Sequence, residues 1–187
     1  AEMLMTEYAP YPVGGGYFHS HERGEVEQAE AAMTMFNSLD QFLQCIDLTH
    51  VNWAQYVDAA NMGNGDILHR GQGDKMGLIE GVKGKRKALF HAFRLYGMMP
   101  LCRRSITLEG GLKGIASSDD QCVTAALWNT DQAECPFSLE ITDIPFTRGT
   151  LEVYHVDKTA NSWYETGSDD LTPSLRQEVD IEDGALR

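Results

Sequence analysis

The chain has 187 residues and a formal charge of -13 at neutral pH. That length holds one domain of ordinary size or parts of two, and an apolar share of 42% excludes disorder of the whole. The acidic balance argues against a phosphate-backbone partner, which needs a basic face, and no apolar run approaches the roughly 20 residues that span a bilayer. Such a composition suits a secreted or cytoplasmic enzyme acting on a neutral polymer.

The opening run Met3-Leu4-Met5-Thr6-Glu7-Tyr8 is short and apolar, as a strand buried on both faces should be, and it delivers a carboxylate near its C-terminal end. Pro10, Pro12 and the triplet Gly14-Gly15-Gly16 then forbid regular structure and predict a loop. The triplet is not a phosphate loop, because the Lys-Ser/Thr that should follow is missing. Between residues 25 and 43, Val26, Ala29, Met33, Phe36, Leu39 and Leu43 recur every three or four positions, which predicts a helix with one buried stripe. Glu25, Glu27 and Glu30 stand near its start, where the helix dipole favours anions.

A second strand is expected over residues 51–57, followed by a long Gly-, Asn- and Asp-rich loop over 61–74. A basic cluster, Lys83, Lys85, Arg86 and Lys87, reads as a solvated face at the start of a helix over residues 86–99. That helix buries Leu89, Ala92, Phe93 and Tyr96 and is stopped by Pro100. The order strand, helix, strand, helix suggests a parallel sheet or a (β/α) barrel.

After Pro100 the period changes. Val123, Ala125 and Leu127, then Phe137, Leu139 and Ile141, then Leu151 and Val153 alternate with neighbours of the other face, and a last strand signal falls on residues 179–181. Turn residues separate them at Gly110-Gly111, Ser117 to Asp120, Asn129 to Asp131 and Arg148-Gly149. This pattern predicts an antiparallel sandwich. The boundary falls near residue 100, giving the last strands and helices of a (β/α) barrel over residues 1–100 and a C-terminal β-sandwich over residues 101–187.

The four cysteines, Cys45, Cys102, Cys122 and Cys135, form no C-x-x-C pair and read as free thiols. His19 and His21 have the spacing H-x-H, yet no third ligand stands nearby and no metal is expected; His19 reads as a substrate contact or an exposed loop residue. His155 reads as a core histidine on the inward face of its strand.

In a (β/α) barrel the active site lies at the C-terminal ends of the strands. Glu7 is at such an end, where a carboxylate is costly to bury unless it is hydrogen-bonded or used. Trp53 could stack on the flat C–H face of a sugar ring or fill the barrel wall. Tyr8 could hydrogen-bond the carboxylate or pack, and Asn52 could touch substrate or satisfy backbone groups.

The stretch 3–8, with its Thr6-Glu7-Tyr8, resembles the seventh barrel strand of clan A glycoside hydrolases. Val51-Asn52-Trp53-Ala54-Gln55-Tyr56-Val57-Asp58 resembles the eighth-strand segment of family 51 α-L-arabinofuranosidases. Gly77-Leu78-Ile79-Glu80-Gly81 and the stretch 87–96 resemble the family 39 β-xylosidase and iduronidase group, and Ile115 to Asn129 looks like the central hairpin of the sandwich that follows both barrels. The resemblance implies the C-terminal portion of a (β/α)8 TIM barrel followed by an antiparallel β-sandwich. It implies a retaining hydrolase of arabinose- or xylose-containing polysaccharides or oligosaccharides, with Glu7 as nucleophile, Trp53, Tyr8, His19 and Asn52 as substrate contacts, and no cofactor. The acid/base, a glutamate of the fourth strand in these families, has no counterpart in this chain. A fragment is therefore expected, or one piece of a split enzyme, whose open edges are covered by the rest of the barrel or by another copy of the chain. The competing expectation is a non-catalytic carbohydrate-binding or structural β-sandwich, which would show an aromatic strip drawn from Trp128, Trp163 and Tyr164.

Overall fold

The computed structural model describes residues 3–8, 29–44, 48–53, 77–80, 83–129 and 136–186. The chain divides into two compact units, Ala1–Phe93 with Val156–Leu171, and Arg94–His155 with Thr172–Arg187.

The first unit opens with β1 (Met3–Tyr8), α1 (Glu30–Leu43) and β2 (Leu48–Trp53). The strands pair in parallel across the helix between them. Parallel neighbours cannot be joined by a tight turn, so a crossover of this kind is the connection such pairing demands. The helix begins at Glu30, inside the expected span, and Glu25 to Gln28 lie outside the described residues. Its buried face also differs from the predicted stripe. Ala29, Ala31, Ala32, Met35 and Phe36 are buried, whereas Met33 and Leu39 are half-buried and Leu43 is 51% exposed. The segment is apolar at Ala31, Ala32, Met33, Met35 and Phe36 alike, so spacing alone does not choose a face.

The basic cluster occupies a tight antiparallel turn rather than a helix face. Ile79 bridges Arg86, the Glu80 N–H donates to the Lys85 carbonyl at 2.8 Å and the Lys87 N–H to Leu78 at 3.0 Å. Gly84, at φ +67°, takes the left-handed corner that this turn needs. Lys87 is fully buried, contrary to its expected place on a solvated face. Lysine is among the residue types least often found inside. Helix α2 (Ala88–Met98) follows at once and buries Ala88, Leu89, His91 and Ala92. It stops two residues before Pro100, because a proline disfavours helical backbone in the residue ahead of it.

The second unit holds a three-stranded antiparallel sheet in the order β3 (Arg103–Arg104), β4 (Leu112–Ser118), β5 (Val123–Asn129), and a two-stranded ribbon of β6 (Arg148–Val153) and β7 (Leu175–Asp180). Gly110 and Gly111 both have positive φ and turn the chain into β4. The β4–β5 hairpin runs from Leu112↔Asn129 to Ser118↔Val123. Its turn is closed by Asp119, whose Oδ1 accepts the backbone N–H groups of Gln121 and Cys122 at 2.8 Å each. Across the hairpin, Ser117 and Thr124 hydroxyls pair at 2.9 Å. Among the described residues of this unit, Ile115, Trp128, Ile144 and Ile181 are the buried apolar ones.

One face of the β6–β7 ribbon is a row of polar partners: Arg148 with Asp180, Thr150 with Glu178 and Glu152 with Arg176. Arg148 and Gly149, expected as a turn, are instead the first residues of β6. The strand predicted over residues 137–141 is absent. Phe137 is 58% exposed, and only Ile141 pairs, with Leu186. Alternation there has no partner strand to answer it. His155 lies past the end of β6 and is exposed, so it is not a core histidine.

Candidate functional site

The candidate site is built on the two parallel strands. Their register pairs Met5 with Val51 and Tyr8 with Trp53, so both strands end level. Between those two pairings β1 spends one residue more than β2, within Thr6-Glu7-Tyr8. An extra residue of this kind kinks its strand and re-aims what it carries, and such irregularities recur beside active sites. An opposite irregularity between Met3 and Leu4 restores the count. The backbone thus brings Glu7, Tyr8, Asn52 and Trp53 to one edge, the C-terminal one, of the β1–β2 pair. His19, the fifth expected site residue, and the loop over residues 61–74 lie outside the described residues.

A carboxylate, a phenol, an amide and an indole thus belong to one strand-end edge. The carboxylate can attack carbon or take a proton, the amide and phenol can exchange hydrogen bonds with hydroxyls, and the indole offers a flat apolar face.

Elsewhere the first unit carries polar links that residue patterns do not show. Ala29 stands at the N-cap of α1 with no capping side chain of its own; the Glu165 carboxylate, from far along the chain, accepts its N–H at 3.0 Å. Ser162 donates its hydroxyl to the other oxygen of Glu165. The Lys85 ammonium lies 3.0 Å from Asp169, and Arg86 reaches Asp169 at 3.5 Å and Asp170 at 3.0 Å. The Lys85 hydrogen bond holds the Asp169 carboxyl below the usual carboxylate range, against the opposing push of desolvation. His91 is fully buried one helical turn after Lys87, with its ring edge-on to Phe90 at 5.9 Å. An alanine where a helix should be capped is the one sequence signal that could have pointed to Glu165.

In the second unit the Tyr154 hydroxyl donates to Glu152 at 2.9 Å, which raises the phenol above its ordinary value. Partial desolvation and the neighbouring Asp119 push the Cys122 thiol up, although the residue is exposed. Cys102 and Cys122 are free and exposed; Cys45 and Cys135 lie outside the described residues. Trp128 is buried, so it offers no stacking face to a sugar. The Trp163 ring carries Lys83 at 5.6 Å, while Tyr164 is 49% exposed. Among the described residues no group of three or more His, Cys, Asp or Glu is placed to hold a metal, and no helix is long and apolar enough to cross a membrane.

Comparison of the chain with protein-family models, with curated proteins and with solved structures finds no match.

Proposed function

We propose that this chain is the C-terminal portion of a retaining glycoside hydrolase of clan A type, with Glu7 as the nucleophile. The observation that carries the reading is the level ending of two parallel strands, with Glu7 inside the irregular stretch at that edge. The Glu7 carboxylate attacks the anomeric carbon and the bond to the leaving oxygen breaks. A second carboxyl, about 5 Å away, protonates that oxygen; water then hydrolyses the glycosyl ester, with the second group acting as base. The second carboxyl and much of the sugar pocket belong to the remainder of the barrel. Trp53 stacks on the sugar, Tyr8 and Asn52 bond its hydroxyls, and His19 supplies a further contact. Arabinofuranosides and xylosides are the substrates proposed.

The test is Glu7→Gln in the complete protein, assayed on aryl α-L-arabinofuranoside and aryl β-xyloside. Hydrolysis should fall by orders of magnitude, and peptide mapping of the native enzyme trapped during turnover should find the sugar esterified to Glu7. Undiminished hydrolysis in the variant would sink the assignment.

A further inference from the structure

Residues Val156–Leu171 leave the ribbon after β6 and return to it before β7, yet they pack with the first unit. Within them lies α3 (Trp163–Thr166). The buried residues of the segment are both polar, Asn161 and Ser162. No apolar side chain of it is fully buried; Val156, Ala160, Trp163 and Leu171 are half-buried.

Charge and one cap tie it to the rest of the first unit. Lys85 and Arg86 meet Asp169 and Asp170, Lys83 sits over Trp163, and Glu165 accepts the N–H of Ala29 at the start of α1. The side chains in these ion pairs are 20% to 74% exposed. Pairs in that range are weakened by salt. Segments with few buried apolar contacts open first, and they open as cooperative pieces.

We propose that Val156–Leu171 is a charge-held strap that opens ahead of the rest of its unit, and that its opening uncaps α1 through Glu165. Because α1 is the crossover between β1 and β2, the strap braces the connection that sets those strands side by side. The inference rests on contacts within the first unit and not on any catalytic role for Glu7.

Amide hydrogen exchange read by mass spectrometry on the complete protein tests it, at about 0.01 M and about 1 M sodium chloride, where the screening length falls from about 30 to about 3 Å. At high salt the strap amides and those of residues 29–32 should speed up together, the latter by roughly fivefold, the worth of an ordinary cap. The amides of residues 89–92 in α2 should keep their rate. Asp169→Asn with Asp170→Asn should show the fast rates already at low salt and lose the salt response. If that variant does not fold, the salt series on the unaltered protein decides alone. Strap amides exchanging at the α2 rate at both salts, or a first turn of α1 that does not follow the strap, would overturn the proposal.

Discussion

The two units are held together by different physics. The first buries a dense apolar set, with Ala88, Leu89, Ala92 and Met35 wholly inside, and its polar links join residues far apart in sequence, such as Glu165 to Ala29. The second is built from antiparallel ladders, close in sequence for β4–β5 and more than twenty residues apart for β6–β7, and among the described residues its buried apolar set is smaller: Ile115, Trp128, Ile144 and Ile181. A long-range unit gains most of its stability only when all its pieces are present, since loop closure comes before contact. The β4–β5 hairpin of the second can form locally and needs few buried groups. The comparison teaches where each is vulnerable: the first to loss of packing or of a distant clasp, the second to loss of close backbone approach.

The largest expected effect comes from emptying each core in turn. Leu89→Ala should cost about 2–5 kcal/mol and Trp128→Ala about 3–5 kcal/mol in urea unfolding, both side chains being buried. If the units are stabilised separately, the double variant should equal the sum to within about 0.5 kcal/mol. A larger coupling would break the comparison.

Gly114→Ala probes the hairpin's close approach. A Cβ there would meet the Leu127 side chain at 2.7 Å and the Ala126 carbonyl oxygen at 3.1 Å. Leu127 can swing but the backbone oxygen cannot, so the substitution should cost about 1–3 kcal/mol, read as a drop in melting temperature.

Asp169 gives the pH arm. Lys85 lowers its folded pKa, so its stabilisation is fully present above the ordinary carboxylate value of about 3.9 and is lost as pH falls through the lowered folded value. Unfolding free energy of the unaltered protein should therefore fall with acid across that window, and Asp169→Asn should remove that part of the slope. An unchanged slope would mean the pair contributes nothing.

Smallest of all is Arg148→Ala on the ribbon. Its partner Asp180 lies at 3.4 Å, but both side chains are more than three-quarters exposed. The change should stay within about 0.5 kcal/mol, and a larger loss would show that the polar face of the ribbon is more than a solvated row.

Much of the local structure was legible in the residues. The apolar run at Met3–Tyr8, the helix ending at Leu43 and the helix ahead of Pro100 all appear where their patterns predict. So does a strand over Val123–Asn129. Period and turn chemistry are local, and these elements obey them. The missed strand at residues 137–141 shows the limit, since alternation needs a partner to become a strand. The candidate site was legible as Glu7 and Tyr8 near one strand end and Asn52 and Trp53 near another, on strands whose order suggests parallel neighbours; the register that sets Tyr8 level with Trp53 was not legible.

By itself the sequence determined the strand and helix segments, the acidic surface and the residues able to bear chemistry. The tertiary structure decided the rest: that Tyr8 of β1 stands level with Trp53 of β2, that α1 turns its alanines and Met35 inward, that Lys87 is buried, and that Glu165 caps a helix lying far earlier in the chain. Periodicity within an element is set by neighbouring residues and can be read along the chain. Which face wins, and which distant group completes it, depends on what packs against it, and packing exists only once the chain has folded.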